Sequence, residues 1–323
     1  MTDIATLLAE GAKRLAAAGI ESPRREARLL LAYALGVEPN EIFHLPLVGR
    51  SEREAFRVGD ARQAPNPHPE IRRAAHAAFP TSPRGGGDAE CARFEELIAR
   101  RAAREPLAYI TGSREFWSLD FHVGPGVLIP RPETETLVEE ALKEFPDKSS
   151  PLNVLDLGTG TACLPIAFLS EYPCASALAI DMSERALAWA KANVDKHALT
   201  SRCALRQGNW ADGVDETFDI IFSNPPYIET ATIPTLEADV AAFEPQTALD
   251  GGADGLGAYR QLAPAIAAHL KPSGRAFVEL GIGQADAVSG IFAESGLETI
   301  RVVPDLSGIA RCLVAAKAAR NRP

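Results

Sequence analysis

A short motif late in the chain, Asn224-Pro225-Pro226-Tyr227, directly follows an apolar run that ends at Ser223. Its two prolines lack backbone N–H groups and restrict φ, so the loop is stiff. The Asn224 side-chain oxygen and the Pro225 carbonyl could both accept hydrogen bonds from one NH2 group, while the Tyr227 ring packs against its flat face. An ordinary turn at the end of a strand is the alternative. The motif predicts a site for a planar amide or amine nitrogen.

A glycine-containing turn lies earlier in the chain, where the apolar run 154–157 passes into Gly158-Thr159-Gly160-Thr161. Glycine lets the backbone approach a ligand closely, and a helix that begins near Ala162 would offer free N–H groups. Two glycines after a strand are also consistent with a simple tight turn. No third glycine completes a G-x-G-x-x-G nucleotide motif.

Asp181 ends the second predicted strand, about twenty residues after the glycine turn. An acid at that position can accept hydrogen bonds from both ribose hydroxyls of an adenosine, although a helix-capping or solvent-facing acid would look the same in sequence. Together, the turn and the acid favour a cofactor that contains adenosine, either NAD or S-adenosylmethionine. The choice between these two cofactors depends on what the Asn-Pro-Pro-Tyr motif does.

Strands and helices alternate from residue 153 onward, the pattern of an α/β fold with a mostly parallel sheet and helices on both faces. Such sheets bind ligands beyond the carboxyl ends of their strands. Helices are predicted from about 133 to 145, from about 162, and after Ser183. The predicted strands are 154–157, 175–180, 203–207, 218–222, 275–280, 298–303 and 312–316.

The residues before this alternation predict a small helical region. Apolar residues recur at helical spacing between 4 and 15. Ser22-Pro23 begins a second helix that Gly36 can end, and Asp88 is a candidate cap for a helix to about residue 103. Residues 64–87 are rich in proline and glycine, which predicts a flexible insertion that is dispensable for catalysis.

A hairpin is predicted between the helical region and the α/β region. Residues 115–123 are rich in aromatic and apolar side chains, as strands are, and Gly124-Pro125-Gly126 provides a turn. We expect this hairpin to join the two domains.

Charge and composition exclude several classes of protein. Of a net charge of −10, residues 1–115 hold 17 Lys and Arg against 16 Asp and Glu, and the remainder hold 16 against 27. This balance weighs against nucleic acid as substrate, since nucleic-acid-binding surfaces usually show a basic excess. Five dispersed cysteines and isolated histidines predict reduced thiols and no metal site. The absence of a long apolar run or a signal-peptide pattern predicts a cytoplasmic protein without a membrane span.

The Asn-Pro-Pro-Tyr motif resembles the signature of methyltransferases that act on planar nitrogens. These include DNA adenine methyltransferases and the release-factor glutamine methyltransferases (the HemK/PrmC family), and the second group fits better. Further similarity between this chain and the HemK/PrmC family is dense over residues 90–316 and loose over the N-terminal helices. The segments that carry it are 127–135, 155–160, 243–245, 248–252 and 254–256.

The resemblance implies a Rossmann-like methyltransferase domain at 133–323, a hairpin linker at 114–132 and a helical substrate-docking domain at 1–113. It implies methyl transfer from S-adenosylmethionine to the glutamine side-chain amide nitrogen in the Gly-Gly-Gln motif of peptide chain release factors. The implied cofactor-binding residues are Gly158, Thr159, Gly160, Thr161, Ala162, Asp181, Trp210 and Asn224. The implied substrate-binding residues are Asn224, Pro225, Pro226 and Tyr227, of which Asn224, Pro225 and Tyr227 are catalytic.

Two positions near the predicted cofactor site depart from the family pattern. Ala162 stands where the family usually has a glycine, which costs on the order of 1 kcal/mol if the position requires a positive φ. Asn209 replaces the usual aspartate before the aromatic residue Trp210. Neither departure touches the Asn-Pro-Pro-Tyr motif, so they bear on cofactor affinity rather than on the type of reaction.

Two other functions remain open from the sequence. An adenine-N6 nucleic-acid methyltransferase also acts on a conjugated NH2 group, but it needs a flipped base and a basic cleft. A non-catalytic module that binds adenosine and a protein partner is the second alternative, against which the intact Asn-Pro-Pro-Tyr motif argues.

Overall fold

The structure is a computed structural model that describes residues 4–38, 42 and 87–319. The predicted insertion at 64–87 lies outside the described residues, apart from Gly87. The chain divides into two compact units, Met1–Thr111 and Gly112–Pro323. Within the described residues, no helix is both long enough and apolar enough to cross a membrane.

The first unit is helical. The second helix begins at Pro23 as predicted and ends where Gly36 adopts a left-handed φ of 67°, while Ser22 makes no side-chain capping bond. The core of the unit contains the fully buried Leu15, Leu30 and Phe94. The helices described are α1 (Ile4–Ala17), α2 (Pro23–Leu35), α3 (Gly87–Ala102) and α4 (Leu107–Thr111).

A two-stranded antiparallel hairpin opens the second unit, formed by β1 (Ser113–Phe116) and β2 (Leu119–His122). Its turn lies at Trp117 and Ser118, both with φ near 56°. The sequence therefore predicted the hairpin but not where it turns. The predicted turn at Pro125-Gly126 is also present and follows the hairpin.

Seven strands form the sheet of the second unit, in the order β5-β4-β3-β6-β7-β9-β8. All neighbours from β5 to β7 pair in parallel, and β9 runs antiparallel to both β7 and β8. The strands are β3 (Asn153–Leu157), β4 (Ser176–Asp181), β5 (Cys203–Gln207), β6 (Phe218–Ser223), β7 (Leu270–Glu279), β8 (Leu297–Pro304) and β9 (Ala310–Lys317). The predicted mostly parallel α/β fold is confirmed.

Helices cover both faces of this sheet, which explains the apolar character of its strands. Val154 faces one hydrophobic cluster, and its neighbour Leu155 faces the other. The helices of the second unit are α5 (Glu135–Glu144), α6 (Cys163–Glu171), α7 (Glu184–Lys196), α8 (Ala238–Phe243), α9 (Gly257–His269) and α10 (Ala285–Glu294). Strand β7 begins five residues earlier than predicted, and its register against β6 shifts between Phe218 and Ile220.

The strand order reverses at β3: the chain adds β4 and β5 on one side of β3 and then adds β6 on the other side. In a parallel sheet, this reversal opens a crevice beyond the carboxyl ends of the strands. The loops that follow β3, β4 and β6 carry the predicted chemistry, and they meet at this crevice.

Candidate active site

A cleft with about 1020 Å³ of empty space lies at this end of the sheet. It is lined by residues from the loops after β3, β4, β5 and β6 and from the segment before α5. The predicted site residues that line it are Gly158, Thr159, Gly160, Thr161, Asp181, Trp210, Asn224 and Pro226. Ala162, Pro225 and Tyr227 do not line it, and the first two are buried.

The turn after β3 needs its glycines. Gly158 and Gly160 have φ of 77° and 56°, values that residues other than glycine rarely adopt. A Cβ atom at either position would meet no atom closer than 3.7 Å, so conformation rather than crowding requires glycine. The backbone N–H groups of Gly158 and Thr159 both donate to the Ile180 carbonyl, at 2.9 Å. The turn is thereby fixed to the end of β4.

Asp181 lies in the cleft beside this turn. One carboxylate oxygen accepts from the Gly160 N–H at 2.8 Å, and the other accepts from the Ser183 N–H at 2.9 Å. Burial raises the pKa of Asp181 above its ordinary value, although these backbone donors act in the opposite direction. Each oxygen keeps a further lone pair, so the carboxylate can still accept hydrogen bonds from two ligand hydroxyls.

Trp210 lines the cleft beside the glycine turn. Its ring lies 3.9 Å from the position that a Cβ on Gly158 would occupy, and its Nε1 donates to Gln261 Oε1 at 3.0 Å. Its own φ is 50°, a left-handed value. An aromatic face held next to a backbone turn can stack on a planar base. Asn209 lines the same part of the cleft.

The Asn-Pro-Pro-Tyr loop is anchored at its start. The Ser223 hydroxyl donates to the Leu157 carbonyl at 2.7 Å, which ties the end of β6 to the glycine turn. Asn224 then reaches the cleft, where its Nδ2 donates to Thr134 Oγ1 at 3.2 Å. That bond leaves the Asn224 Oδ1 oxygen available as an acceptor.

A buried carboxylate, Glu279, lies behind this loop at the end of β7 and is 1% exposed. It accepts from the Thr134 hydroxyl at 2.5 Å and from the Tyr227 hydroxyl at 3.1 Å. Burial raises the pKa of Glu279, while the Thr134 hydroxyl and the nearby Arg311 guanidinium act in the opposite direction. Neither Thr134 nor Glu279 was among the predicted site residues, although an acid at the end of an apolar strand is a signal that could have pointed to Glu279.

The backbone of Tyr227 is held from the opposite side. Gln284 Nε2 donates to the Tyr227 carbonyl at 3.0 Å, and Ile228 forms an isolated bridge with Asp250. A Cβ on Gly255 would lie 2.5 Å from the Tyr227 carbonyl oxygen. The glycine-rich segment 250–257 therefore positions the end of the Asn-Pro-Pro-Tyr loop.

Two other predicted segments, 127–135 and 243–245, also meet at the cleft. Glu244 accepts from the Ile129 N–H at 3.2 Å and from Arg131 Nη2 at 2.5 Å. The side chain of Glu244 is 2% exposed, so this pair is desolvated on its carboxylate side. It fixes the segment that carries Thr134 against the substrate end of the cleft.

Asn193 joins the hairpin to the glycine turn. It is fully buried on α7. Its Oδ1 accepts from the His122 N–H at 2.7 Å, and its Nδ2 donates to the His122 and Thr161 carbonyls at 3.0 Å each. No sequence pattern points to Asn193, because its partners are backbone groups from distant segments.

The cleft fits an adenosine-containing cofactor. Asp181 offers acceptors for ribose hydroxyls, Trp210 offers an aromatic face, and Gly158 and Gly160 line the cleft without side chains, so a ligand can approach their backbone closely. The acceptor Asn224 Oδ1 lies in the same cleft, so one cavity holds both the predicted cofactor site and the predicted nitrogen site.

Comparison with known proteins assigns the chain to a family. The methyltransferase small domain model matches residues 134–241, and the PrmC N-terminal domain model matches residues 6–57 and 84–112. A release factor glutamine methyltransferase of Caulobacter vibrioides is 40% identical over 94% of this chain and 93% of its own length. The corresponding protein of Rhodospirillum rubrum is 40% identical over 97% and 85%.

The chain belongs to the release factor glutamine methyltransferase family. A further family member, from Geobacter sulfurreducens, is 44% identical over 69% of this chain and 77% of its own length. The family resemblance inferred from the motifs is thereby confirmed. Both family models leave 58–83 unmatched, which includes most of the predicted insertion.

Proposed function

We propose that the protein transfers a methyl group from S-adenosylmethionine to the glutamine side-chain amide nitrogen in the Gly-Gly-Gln motif of peptide chain release factors. The observation that carries this proposal is the placement of Asn224. Its Nδ2 is bound to Thr134, and its Oδ1 remains available in the cleft that also holds Asp181 and the glycine turn.

The cofactor would be held at its ribose by Asp181, at its adenine by Trp210, and along Gly158 to Thr161 by the backbone. When bound, S-adenosylmethionine supplies an electrophilic methyl group on a positively charged sulfonium. Ala162 is fully buried, so any contribution it makes to binding comes through the conformation of the turn. The family membership and the shared cleft support this choice of cofactor over NAD.

The protein must first orient an unreactive nitrogen, whose lone pair is delocalised into the amide carbonyl. Asn224 Oδ1 and the Pro225 carbonyl would accept its two hydrogens and hold it in line for transfer. The same two acceptors stabilise the positive charge that develops on the nitrogen. Pro226, which lines the cleft, would support the plane of the amide, and Tyr227 would hold the loop through its hydroxyl bond to Glu279. No strong base is required, because the nitrogen becomes acidic once it carries the methyl group.

The substrate loop must be narrow to reach this site. Two glycines before the glutamine allow the close backbone approach that a recessed acceptor demands. We propose that the N-terminal helices and the segment 127–135 contact the body of the release factor. Near-neutral charge in residues 1–115 is compatible with a protein surface as partner.

The test is transfer of tritium from labelled S-adenosylmethionine to purified release factor, with duplex DNA as the competing substrate. We expect label on the release factor and none on a Gln→Ala variant of its Gly-Gly-Gln motif. Label on DNA alone would favour the adenine-N6 alternative, and label on neither would favour a binding module.

Asn224→Ala tests the mechanism in the same assay. Loss of a preorganised acceptor should lower kcat by about 10² to 10³ while cofactor affinity stays near that of wild type. Asn153→Ala is the matched control, because Asn153 is exposed at the start of β3, at the opposite end of the sheet from the cleft. Near-normal kcat for Asn224→Ala would contradict amide recognition.

A further inference from the structure

A relay of hydrogen bonds connects Asn224 to the buried end of β7. Asn224 Nδ2 donates to Thr134 Oγ1 at 3.2 Å, and Thr134 Oγ1 donates to Glu279 Oε2 at 2.5 Å. The other carboxylate oxygen of Glu279 accepts from the Tyr227 hydroxyl at 3.1 Å. Thr134 lines the cleft, whereas Glu279 does not. Glu279 therefore reaches the site through two other side chains.

The direction of this relay follows from its chemistry. Glu279 accepts from both the Thr134 and the Tyr227 hydroxyls, so Thr134 gives its single hydroxyl hydrogen to Glu279. The Thr134 oxygen is then left as an acceptor, and the group that it receives from Asn224 must be the NH2. An asparagine amide has nearly the same shape in either orientation, so its hydrogen-bond partners decide which end faces the cleft.

We propose that Thr134 and Glu279 are positioning residues that fix Asn224 with its oxygen toward the substrate, and so select glutamine over glutamate. This inference rests on the proposed function. A glutamine presents NH2 hydrogens to the Asn224 oxygen. A glutamate presents an oxygen to it, which places two acceptors against each other, and this kind of mismatch discriminates strongly between isosteric substrates.

The rest of the loop has separate supports, so the relay can be disturbed without unfolding the site. Ser223 is held by the Leu157 carbonyl, and the Tyr227 carbonyl is held by Gln284. Neither bond passes through Thr134. Removing the Thr134 hydroxyl should release the Asn224 amide to rotate while its backbone stays in place.

Thr134→Val in the full-length protein is the direct test, because valine keeps the shape and loses the hydroxyl. We expect kcat on release factor to fall about tenfold with cofactor affinity unchanged. A release factor with Gln→Glu in its Gly-Gly-Gln motif should compete poorly with normal release factor for the wild-type enzyme. It should compete about tenfold better for the Thr134→Val enzyme. Thr134→Ser should restore both properties, since it keeps the hydroxyl.

Thr299→Val is the matched control. Thr299 lies on β8 at the edge of the sheet, and its buried hydroxyl has no hydrogen-bond partner among the described residues. The same chemical change there should leave kcat and the Gln/Glu preference unchanged. Glu279→Gln provides a second variant within the relay. Its amide NH2 can donate to Thr134, so the hydrogen bonds no longer have to run from Asn224 through Thr134 to residue 279. It should lower kcat and the preference in the same sense as Thr134→Val.

A double-mutant cycle separates positioning from general structural support. In an Asn224→Ala background, Thr134→Val should lower kcat no further, because the amide that it orients is gone. An equal loss of kcat in both backgrounds, or an unchanged Gln/Glu preference in Thr134→Val, would overturn the proposal.

If the wild-type protein transfers no methyl group to release factor, the proposed function is refuted. Nitrogen-15 NMR then still tests the relay, because it does not depend on activity. The side-chain NH2 signal that Asn224→Ala removes identifies Asn224. Its hydrogens should exchange with solvent more slowly in wild type than in Thr134→Val. Equal exchange rates would refute the relay, whatever the substrate is.

Discussion

Ala162 shows how one residue can depart from its family's pattern without disrupting the turn. The structure gives it a φ of 62°, so alanine stands in the left-handed conformation that a glycine would adopt more easily. That conformation costs an alanine on the order of 1 kcal/mol. Its methyl group, however, is fully buried in the core cluster beneath the turn, and burying one methyl group recovers about 0.8 kcal/mol. The two effects nearly cancel, so the departure is tolerated.

Asp156 has surroundings that the sequence did not predict. It lies on β3 and is 1% exposed. Burial raises the pKa of Asp156 from 3.8 to about 7; the Thr159 hydroxyl opposes this shift, and the charge of Asp181 adds to it. Asp156 is therefore a source of pH-dependent stability.

The sign of that dependence follows from proton binding. Between pH 4 and 7 the folded state keeps the Asp156 proton and the unfolded state loses it, so this group's contribution to the free energy of unfolding falls as pH rises. Asp156→Asn removes the titration. We expect its free energy of unfolding, relative to wild type, to rise from pH 5 to pH 7.5 by up to about 3 kcal/mol. Urea unfolding at both pH values measures this difference, and an identical difference at both would contradict it.

Among the elements, the sheet was predictable and the hairpin turn was not. Alternating apolar runs and helical segments after residue 153 identify a parallel sheet because each run is buried on both faces. Trp117 and Ser118, by contrast, adopt left-handed φ values that usually require asparagine or glycine. Glu135 accepts from the Trp117 N–H at 2.8 Å, and Glu115 accepts from the Ser118 N–H at 2.5 Å. The turn depends in part on a residue eighteen positions away, which local sequence patterns do not reveal.

The same limit applies to the candidate site. Asn224, Asp181 and the glycine turn could be identified because each follows a recognisable strand and has a side chain or backbone suited to the chemistry. The pairing of Thr134 with Glu279 could not, because it arises only when the segment before α5 and the end of β7 come together. Their sequence separation of 145 residues places the contact beyond any local pattern.

The segment 250–257 offers a test of how an element positions the catalytic loop. Gly255 has a φ of 69°, and a Cβ there would lie 2.5 Å from the Tyr227 carbonyl oxygen and 2.7 Å from Gln284 Nε2. Gly255→Ala should displace Tyr227 and lower kcat at least about tenfold, since small misplacements of reacting groups are costly. Steady-state kinetics on release factor measures this loss.

Gly252→Ala is the control for Gly255→Ala. Gly252 has a φ of 90°, yet a Cβ there would meet no atom within 4 Å. In both variants an alanine must adopt a left-handed φ, which costs about 1–2 kcal/mol of stability. Only Gly255→Ala also crowds Tyr227. Equal losses of kcat in the two variants would show that backbone strain, rather than contact with the catalytic loop, is responsible.

At the scale of the whole molecule, each of the two units has a hydrophobic core of its own. The core of the first unit is formed by residues between 7 and 110, whereas both clusters of the second unit fall between 116 and 315. All the residues that line the cleft, from Gly126 to Ala248, belong to the second unit. The second unit therefore contains the whole cleft, and we expect it to fold without the first.

Removing the first unit should separate cofactor binding from recognition of a protein substrate. A chain that begins at Gly112 should bind S-adenosylmethionine with an affinity near that of the full-length protein by calorimetry, because it retains Asp181, Trp210 and the glycine turn. Its kcat/KM on intact release factor should fall at least about tenfold if the N-terminal helices contribute even a modest docking energy. A short Gly-Gly-Gln peptide, which cannot reach those helices, should be methylated equally by both chains. Equal efficiency on intact release factor would refute the docking role and leave recognition to the cleft alone.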